Sequence, residues 1–469
     1  MNFDPRFAFF LLPGVWRGLV GFLIIPLTTH KLDPADFGLF ALVTAFAGIA
    51  TGISALGSSQ ILSTHLPVIK QKDGQELVSS IFILSLLIAI FFAIVSILIW
   101  PILEGKFPEI ELTPNNLEWF IPTIVLLSIP WSLAAAVATI TGGARSFATI
   151  NVLETSATAA ATLVAIYFYD HGVLSLFLGS AIGAGLSAAC SVIYLRQYFC
   201  FRLKSRWLIE SARVGAISLV GNLAERIQVL LERYALSTYI GLSTVGLYNH
   251  GQQYQGIARM GMKAWLNSLL PMALREARHS KPTFDRFQSI FPVSQFALGL
   301  VGVAMATLGL DLIKLLTHDK FTDSYLIASF LLIIVQIEYM ARPAFLFLVA
   351  KGMYSDLQKS LVFSLVISMV LVFPMTSFFG LYGAVSTVFI QSVVYRFFIA
   401  YLAKKTVKMN SKDSVAIAGV FLTFISIVIS WYFADTVAKR ATVWVGISAT
   451  LVVIFLFLRR PKVYQPIFR

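Results

Sequence analysis

Between Ser211 and Pro271, two apolar runs joined at about Tyr239 to Ser243 are long enough to cross a bilayer, yet they carry charge where a membrane helix ordinarily has none. Glu225, Arg226, Glu232, Arg233, Arg259 and Lys263 all fall inside them. One Arg, Lys or Asp at the centre of a spanning helix costs roughly 2.5–3.5 kcal/mol on insertion scales. A hairpin holding this many must therefore line a water-filled cavity or bury partners for them.

The rest of the chain makes the membrane its solvent. Apolar residues are 58% of the 469 and charged residues 13%, against about 45–50% and 25% in globular domains. Apolar runs predict fourteen helices, at about 7–29, 37–62, 77–101, 117–141, 148–169, 173–196, 212–237, 244–271, 288–316, 323–350, 358–379, 381–403, 414–434 and 442–459. The first is expected to be a retained span, being longer than a signal-peptide core. The connectors are short, which leaves no room for a soluble domain, and the longest outer one, from Glu104 to Glu118, is acidic.

A formal net charge of +13 would suit nucleic acid, but the basic residues sort by connector. Twenty-three lie on one side, from Arg6 and Lys70 to Arg469, and six on the other: Lys31, Lys106, Lys314, Lys320, Lys439 and Arg440. The excess marks the cytoplasmic side, so both termini are expected there and no nucleic-acid partner is implied. Cys190 and Cys200 would lie about 15 Å apart along one helix and are read as free, buried thiols. Trp100, Trp119, Trp207, Trp265, Trp431 and Trp444 fall near helix ends as interfacial anchors would. The pairs Gly14 and Gly18, Gly48 and Gly52, and Gly179 and Gly183 suit close helix packing.

The sequence also repeats. Residues 37–50 align without gaps on 245–258, with five identities and two aromatic matches at a shift of 208, and the same shift carries Gly172 onto Gly380. Because the shift spans six helices, the halves share one topology and a pseudo-two-fold along the membrane normal. The expected organisation is a six-helix lobe over 1–200, a second over 201–408, and two additional helices over 409–469.

Seven cations remain inside predicted spans: Arg17, Arg226, Arg233, Arg259, Lys263, Arg342 and Arg396. Against them stand three carboxylates, Glu225, Glu232 and Glu338, so the inventory is cationic and points to an anionic substrate. Helical spacing places Asn222, Arg226 and Arg233 on one face, with Glu225, Gln228 and Glu232 on an adjacent stripe, and gathers Gln252, Gln255, Arg259, Lys263 and Asn267 into another. The 208 shift brings Arg17 to within one residue of Arg226. Arg17, Arg226, Arg233, Arg259 and Lys263 are the expected substrate cations, because arginine's planar fork suits phosphate. Asn222, Gln252, Gln255 and Asn267 are expected to meet hydroxyls, and Tyr248 and Tyr254 to stack on rings. Glu338 lies four residues before Arg342, a pairing distance. Glu225, Glu232, Glu338, Arg342 and His250 are candidates for ion coupling or internal pairing, with a hydrogen-bonded core role the commoner one for such a histidine. No nucleotide, zinc-protease or iron–sulfur motif occurs, so no cofactor or metal is expected, nor an enzyme.

Gly-Phe-Leu-Ile-Ile-Pro at 21–26, Leu-Asp-Pro-Ala-Asp-Phe-Gly-Leu-Phe at 32–40, Ala-Leu-Gly-Ser-Ser at 55–59, Val-Gly-Leu-Tyr at 245–248 and Phe-Gly-Leu-Tyr-Gly-Ala at 379–384 resemble the bacterial polysaccharide-biosynthesis flippases. These are O-antigen and related lipid-linked oligosaccharide translocases of the multidrug, oligosaccharidyl-lipid and polysaccharide exporter superfamily. The resemblance implies an all-α polytopic fold, with two six-helix lobes in a V shape plus two C-terminal helices. It implies a cationic cavity open alternately to each side of the inner membrane, and an undecaprenyl-pyrophosphate-linked oligosaccharide as cargo. A polysaccharide polymerase and a chain-length regulator would be partners, beside membrane lipids. The alternatives are a multidrug or cation antiporter of the same superfamily, which would favour unpaired buried carboxylates, and a membrane polymerase or glycan transferase, which would favour a long outer catalytic loop.

Overall fold

The computed structural model describes residues 5–458 apart from 56, 68, 107–116, 201–203, 278–284, 351–352 and 408–412, so most of the acidic outer connector lies outside the described residues. Within them every regular element is helical. The first unit, Met1–Gly246, contains α1 (Pro5–Lys31), α2 (Pro34–Ser54), the short α3 (Ser58–His65), α4 (Gln71–Lys106), α5 (Phe120–Thr141), α6 (Ala144–Tyr169), α7 (Leu174–Leu195), α8 (Ser205–Tyr239) and the start of α9 (Leu242–Ala277). The second, Leu247–Arg469, continues α9 and adds α10 (Asp285–Thr317), α11 (Ser324–Met340), α12 (Arg342–Ala350), α13 (Tyr354–Val407), α14 (Ser414–Phe433) and α15 (Val437–Leu458).

Ten stretches are long and apolar enough to cross a membrane, or eleven if α11 and α12, bent by 44°, form one span. The gap between these counts and the expected fourteen has a chemical cause. The charged helices α8 and α9 are too polar to qualify, and α13 counts once although it runs for 54 residues across a break at Gly380. That glycine has φ 60° and ψ −137°, a region closed to residues with a Cβ. Its repeat partner Gly172 also has positive φ, 54°, in the turn between α6 and α7. The break in α13 thus stands where the α6–α7 turn stands in the first half. At the α11–α12 bend, Pro343 has no N–H to give Tyr339 and disfavours helical geometry at Arg342 before it; Ala341 closes α11 by donating to the Glu338 carbonyl.

In the first unit α1 and α6 run parallel. Phe10 meets Phe147 with ring centres 5.5 Å apart, Trp16 Nε1 donates to Ser156 Oγ at 3.0 Å, and Tyr167 Oη donates to the Leu27 carbonyl at 2.9 Å. Next, α6 and α7 lie antiparallel and close, because Gly179 faces Thr162 and Gly183 faces Thr158; a Cβ at either glycine would come within 1.9 Å of the threonine Oγ1. Gly14 and Gly18, by contrast, face open space, with nothing within 4 Å of an added Cβ, so they make no helix contact of the expected kind. Trp100 and Trp207 are also not interfacial: both are buried in the apolar cores of this unit, whereas Trp119 and Trp431 are exposed. The thiols of Cys190 and Cys200 are free but half-buried.

The division between units falls after Gly246, and α8 packs within the first, against α2, α3 and α4. Its start is tied down by Lys204, whose ammonium reaches both Glu76 and Asp73 on α4. Hydrogen bonding to Glu76, then to Asp73, holds that ammonium above the usual lysine range. In the second unit α10 is central, packing on α11, α14 and α15. Gly299 of α10 and Gly419 of α14 approach closely, and Gln336 of α11 donates to Thr423 of α14 at 3.1 Å. Arg440, counted from sequence among outer-connector cations, is instead a buried anchor of α15, forked onto both carboxylate oxygens of Asp311 on α10 at 2.8 and 2.5 Å.

The glycine contrast makes a prediction. Gly183→Val should destabilise the first unit by about 1–3 kcal/mol, the range for overpacking, while Gly14→Ala, with open space around it, should leave the thermal midpoint in detergent unchanged or slightly raised.

Candidate functional site

The charged side chains form local arrangements within each unit. In the first, α8 lies antiparallel to α2 and turns Arg226 and Arg233 onto it. Arg226 Nη1 donates to the Gly48 carbonyl and to Thr51 Oγ1, the latter at 3.2 Å; Arg233 Nη1 donates to the Ala41 carbonyl at 2.6 Å. Helical carbonyls retain a second lone pair after accepting from the residue four ahead, so they can take a guanidinium as well. Access requires a bare helix surface. A Cβ at Gly52 would lie 2.6 Å from Arg226 Cδ, so the Gly48 and Gly52 pair, expected to serve helix packing, houses the Arg226 side chain. Arg226 has only neutral acceptors: among the described residues no carboxylate lies within 4.0 Å of it. Glu232, beside Arg233 in sequence, is buried and accepts from Gln228 at 2.8 Å on its own helix, while Glu225, beside Arg226, is exposed.

Also in this unit, Arg17 of α1 is 3.9 Å from Glu154 of α6, with half of the arginine side chain exposed. The count of three carboxylates among the spans was therefore short. Glu154 and Asp311 both lie inside predicted runs, at 148–169 and 288–316, and each holds an arginine. Asp413, just outside a run, holds Arg396. The cationic surplus is correspondingly smaller than composition alone suggests.

In the second unit α9 runs parallel to α11, and partner numbers rise together along the seam. His250 Nδ1 is 2.8 Å from Ser324 Oγ, Gln255 Nε2 is 3.3 Å from the Leu331 carbonyl, and Arg259 Nη2 is 2.7 Å from Glu338 Oε1. Glu338 accepts from Ser392 of α13 as well, at 3.3 Å. The expected pairing of Glu338 with Arg342 does not form. The bend at Ala341 swings Arg342 off the α11 face, and its guanidinium lies 5.2 Å over the Phe345 ring.

The seam also corrects the expected lining. Tyr248, Tyr254 and Gln255 are buried inside the second unit, at 0%, 8% and 3% exposure, so they face helix packing and are closed to a sugar. The physical reason is register. The buried face of α9 runs through Tyr248, Gly251, Tyr254 and Gln255, because Gly251 lets α11 approach at Ile327, and this rotates Gln252 and Arg259 to its more exposed side. His250 is likewise a core residue, wholly buried, packed on Phe321 and Tyr254. Asn222, Lys263 and Asn267 lie on helices whose course is described, but their side chains lie outside the described residues. Among the described residues no three His, Cys, Asp or Glu side chains gather as a metal site would.

What this defines is a multi-pass helical membrane protein whose arginines are held by the main chain and carboxylates of neighbouring helices. Its fold matches that of the lipid II flippase MurJ in an inward closed conformation, at 12% identity and a TM-score of 0.70 over 96% of this chain and 98% of that one. It also matches a variant of the Vibrio cholerae MATE transporter VcmN, at 15% identity and 0.61 over 86% and 96%, and an inward-facing multidrug resistance MATE family transporter of the MOP superfamily, at 13% and 0.60 over 89% and 96%. Among curated proteins none matches. Residues 7–275 match the model of the polysaccharide biosynthesis protein family, and the chain belongs to that family.

Removing Arg259 and Glu338 together should cost less than the sum of the single changes, with a coupling of about 1 kcal/mol in a double-mutant cycle of thermal stability, as for a part-exposed pair.

Proposed function

We propose that the chain moves a lipid-linked oligosaccharide across the cytoplasmic membrane by alternating access. Family membership supports a role in polysaccharide biosynthesis. The observation that carries the transport reading is Arg226, a cation within a spanning-length helix, held by a carbonyl and a hydroxyl and left with its charge uncancelled by any carboxylate within 4.0 Å. Such a group is fixed in place yet still able to take an anion.

On this reading the cargo is an undecaprenyl-pyrophosphate-linked repeat unit of O-antigen or a related surface glycan. A sugar headgroup and its pyrophosphate cannot enter hydrocarbon, whereas the lipid tail can stay in the bilayer beside a path that opens sideways. Arg226 and Arg233, with Arg17, Arg259 and Lys263, meet the pyrophosphate; Asn222, Gln252 and Asn267 meet hydroxyls. Arg17 and Arg259 engage by exchanging Glu154 and Glu338 for phosphate, which frees a carboxylate each time and gives ion coupling a place to act. With the inside negative, outward movement of each negative charge is favoured by about 2.3 kcal/mol per 100 mV.

The same reading counts fourteen spans, taking α8, α9 and both halves of α13 as crossings, with both termini cytoplasmic. It divides them into two six-helix lobes and a terminal pair, and a polymerase and chain-length regulator act on what is delivered. The rival within this fold is a multidrug antiporter, favoured by the match to multidrug MATE transporters; a deletion strain's drug susceptibility separates the two.

Arg226→Ala should weaken handling of the pyrophosphate by about 1.5–3 kcal/mol, the range for a charged hydrogen bond, or roughly 10–150-fold. Arg226→Lys should recover part of this, since it restores charge but not the fork. Surface glycan display at equal expression reads both. Full display by Arg226→Ala and Arg259→Ala alike would overturn the assignment.

A further inference from the structure

The basic connector between α7 and α8 is strapped onto the first unit. After α7 the chain makes one 3₁₀ turn, Arg196–Tyr198, and the Gln197 carbonyl accepts from Gln75 Nε2 of α4 at 3.0 Å. The Cys200 amide donates to Ser79 Oγ at 2.8 Å, and Phe199 meets Phe82 edge-on at 5.4 Å. Lys204 then reaches Asp73 and Glu76, and Trp207 is buried with the His65 ring of α3 at its edge, 5.5 Å away. These ties draw the end of α7, the start of α4 and the start of α8 to one rim.

The ties also sort the charge. Lys204 takes up two carboxylates, Asp73 and the buried Glu76. Lys70, Lys72, Arg196, Arg206 and Arg213 are exposed, and among the described residues no carboxylate lies within 4.0 Å of any of them. With Glu210 as the third carboxylate, the rim carries six cations against three anions. Apolar side chains stand exposed among these cations. Ile193 lies one turn before Arg196 on α7, and Ile209, 68% exposed, lies between Arg206 and Arg213 on α8, sharing their face by steps of three and four.

We propose that this rim is a binding site for anionic phospholipid headgroups, with Arg196 and Arg206 on the phosphate, Lys70, Lys72 and Arg213 adding charge around it, and Ile193 and Ile209 at the acyl boundary. The cations select an anion. The isoleucines select one that brings hydrocarbon with it, so the occupant is a lipid and not a free phosphate. Basic clusters of four to eight residues beside a spanning helix attract anionic lipid on the cytoplasmic side, and the charge distribution marks this rim as cytoplasmic. A headgroup held here braces the connector that leads into α8, the helix carrying Arg226 and Arg233. The inference goes beyond the flippase reading and does not depend on it, since the lipid is a partner and not cargo.

The test titrates the full chain in neutral detergent with phosphatidylglycerol and reads the bound fraction by native mass spectrometry. Phosphatidylglycerol should bind and phosphatidylcholine should not. Arg196→Gln with Arg206→Gln should weaken binding about thirtyfold, at roughly fivefold per charge, and added salt should weaken it in the unaltered protein. Lys314→Gln with Lys439→Gln removes the same charge from residues that have carboxylate partners, and should leave binding within about twofold. Equal weakening by both pairs would show only a general attraction to a basic protein and overturn the site. Unchanged binding in the Arg196 and Arg206 variant overturns it as well. Inorganic pyrophosphate at matched concentration should not displace the lipid; displacement would make the rim a site for soluble phosphate and overturn the lipid assignment. Because Arg206 lies over the Trp207 ring, Lys70→Gln with Lys72→Gln carries the same expectation should the first variant fail to fold. Glycan display is not read, so the outcome is independent of the cargo assigned above.

Discussion

The packing of α8 on α2 depends on how two guanidinium groups are satisfied. An unpaired charge is expensive away from water, so a guanidinium there takes acceptors from the protein or faces a wet cavity. Arg226 and Arg233 find theirs on the main chain of α2, at Gly48 and Ala41, with Thr51 adding a hydroxyl. This solution fixes α8 beside α2, demands the bare surface of Gly48 and Gly52, and satisfies hydrogen bonding without cancelling charge. A carboxylate in the same place would have met the first two needs and removed the third.

The second unit takes the other route. Arg259 is paired with Glu338, which Ser392 also steadies from α13, so three helices converge on one ion pair. Half of the Arg259 side chain is exposed and most of the Glu338 side chain is not. In such a pair the arginine is the partner able to exchange ligands, while loss of the arginine strands a shielded carboxylate. Arg226 is thus held by neutral acceptors, while Arg259, like Arg17 with Glu154 in the first unit, is held by a carboxylate.

Sequence made some of this legible and hid the rest for identifiable reasons. Runs of apolar residues revealed a polytopic helical protein because the bilayer imposes length on every span. The repeat was read from sequence too, and its partners Gly172 and Gly380 share a positive φ that only the backbone could reveal. Spacing placed Arg226 and Arg233 on one face, which is the face α2 receives. It could not say that Tyr248 and Gln255 turn inward, because rotation of α9 is set by where Gly251 admits α11, a partner far away in the chain. Nor could it see Glu154 beside Arg17, since parallel packing of α1 on α6 brings them together across the whole of α2 to α5. The predicted Glu338 and Arg342 pair failed at a legible residue, Pro343, whose effect on the helix outweighed an i, i+4 spacing.

Glycine spacing illustrates why a motif needs its surroundings. The pair at 179 and 183 admits two threonines, that at 48 and 52 admits an arginine, and that at 14 and 18 admits nothing. The last case is the informative one. Gly14 and Gly21 lie three residues before and four after Arg17, hence on its face of α1, and a Cβ at either would also touch nothing within 4 Å. Small residues that press no neighbour contribute no packing, and glycine costs a helix about 1 kcal/mol relative to alanine. What they do contribute is clearance around a half-exposed guanidinium. On the flippase reading that clearance is where a bulky headgroup can come alongside Arg17 while its phosphate displaces Glu154, which turns an apparent packing motif into a provision for cargo.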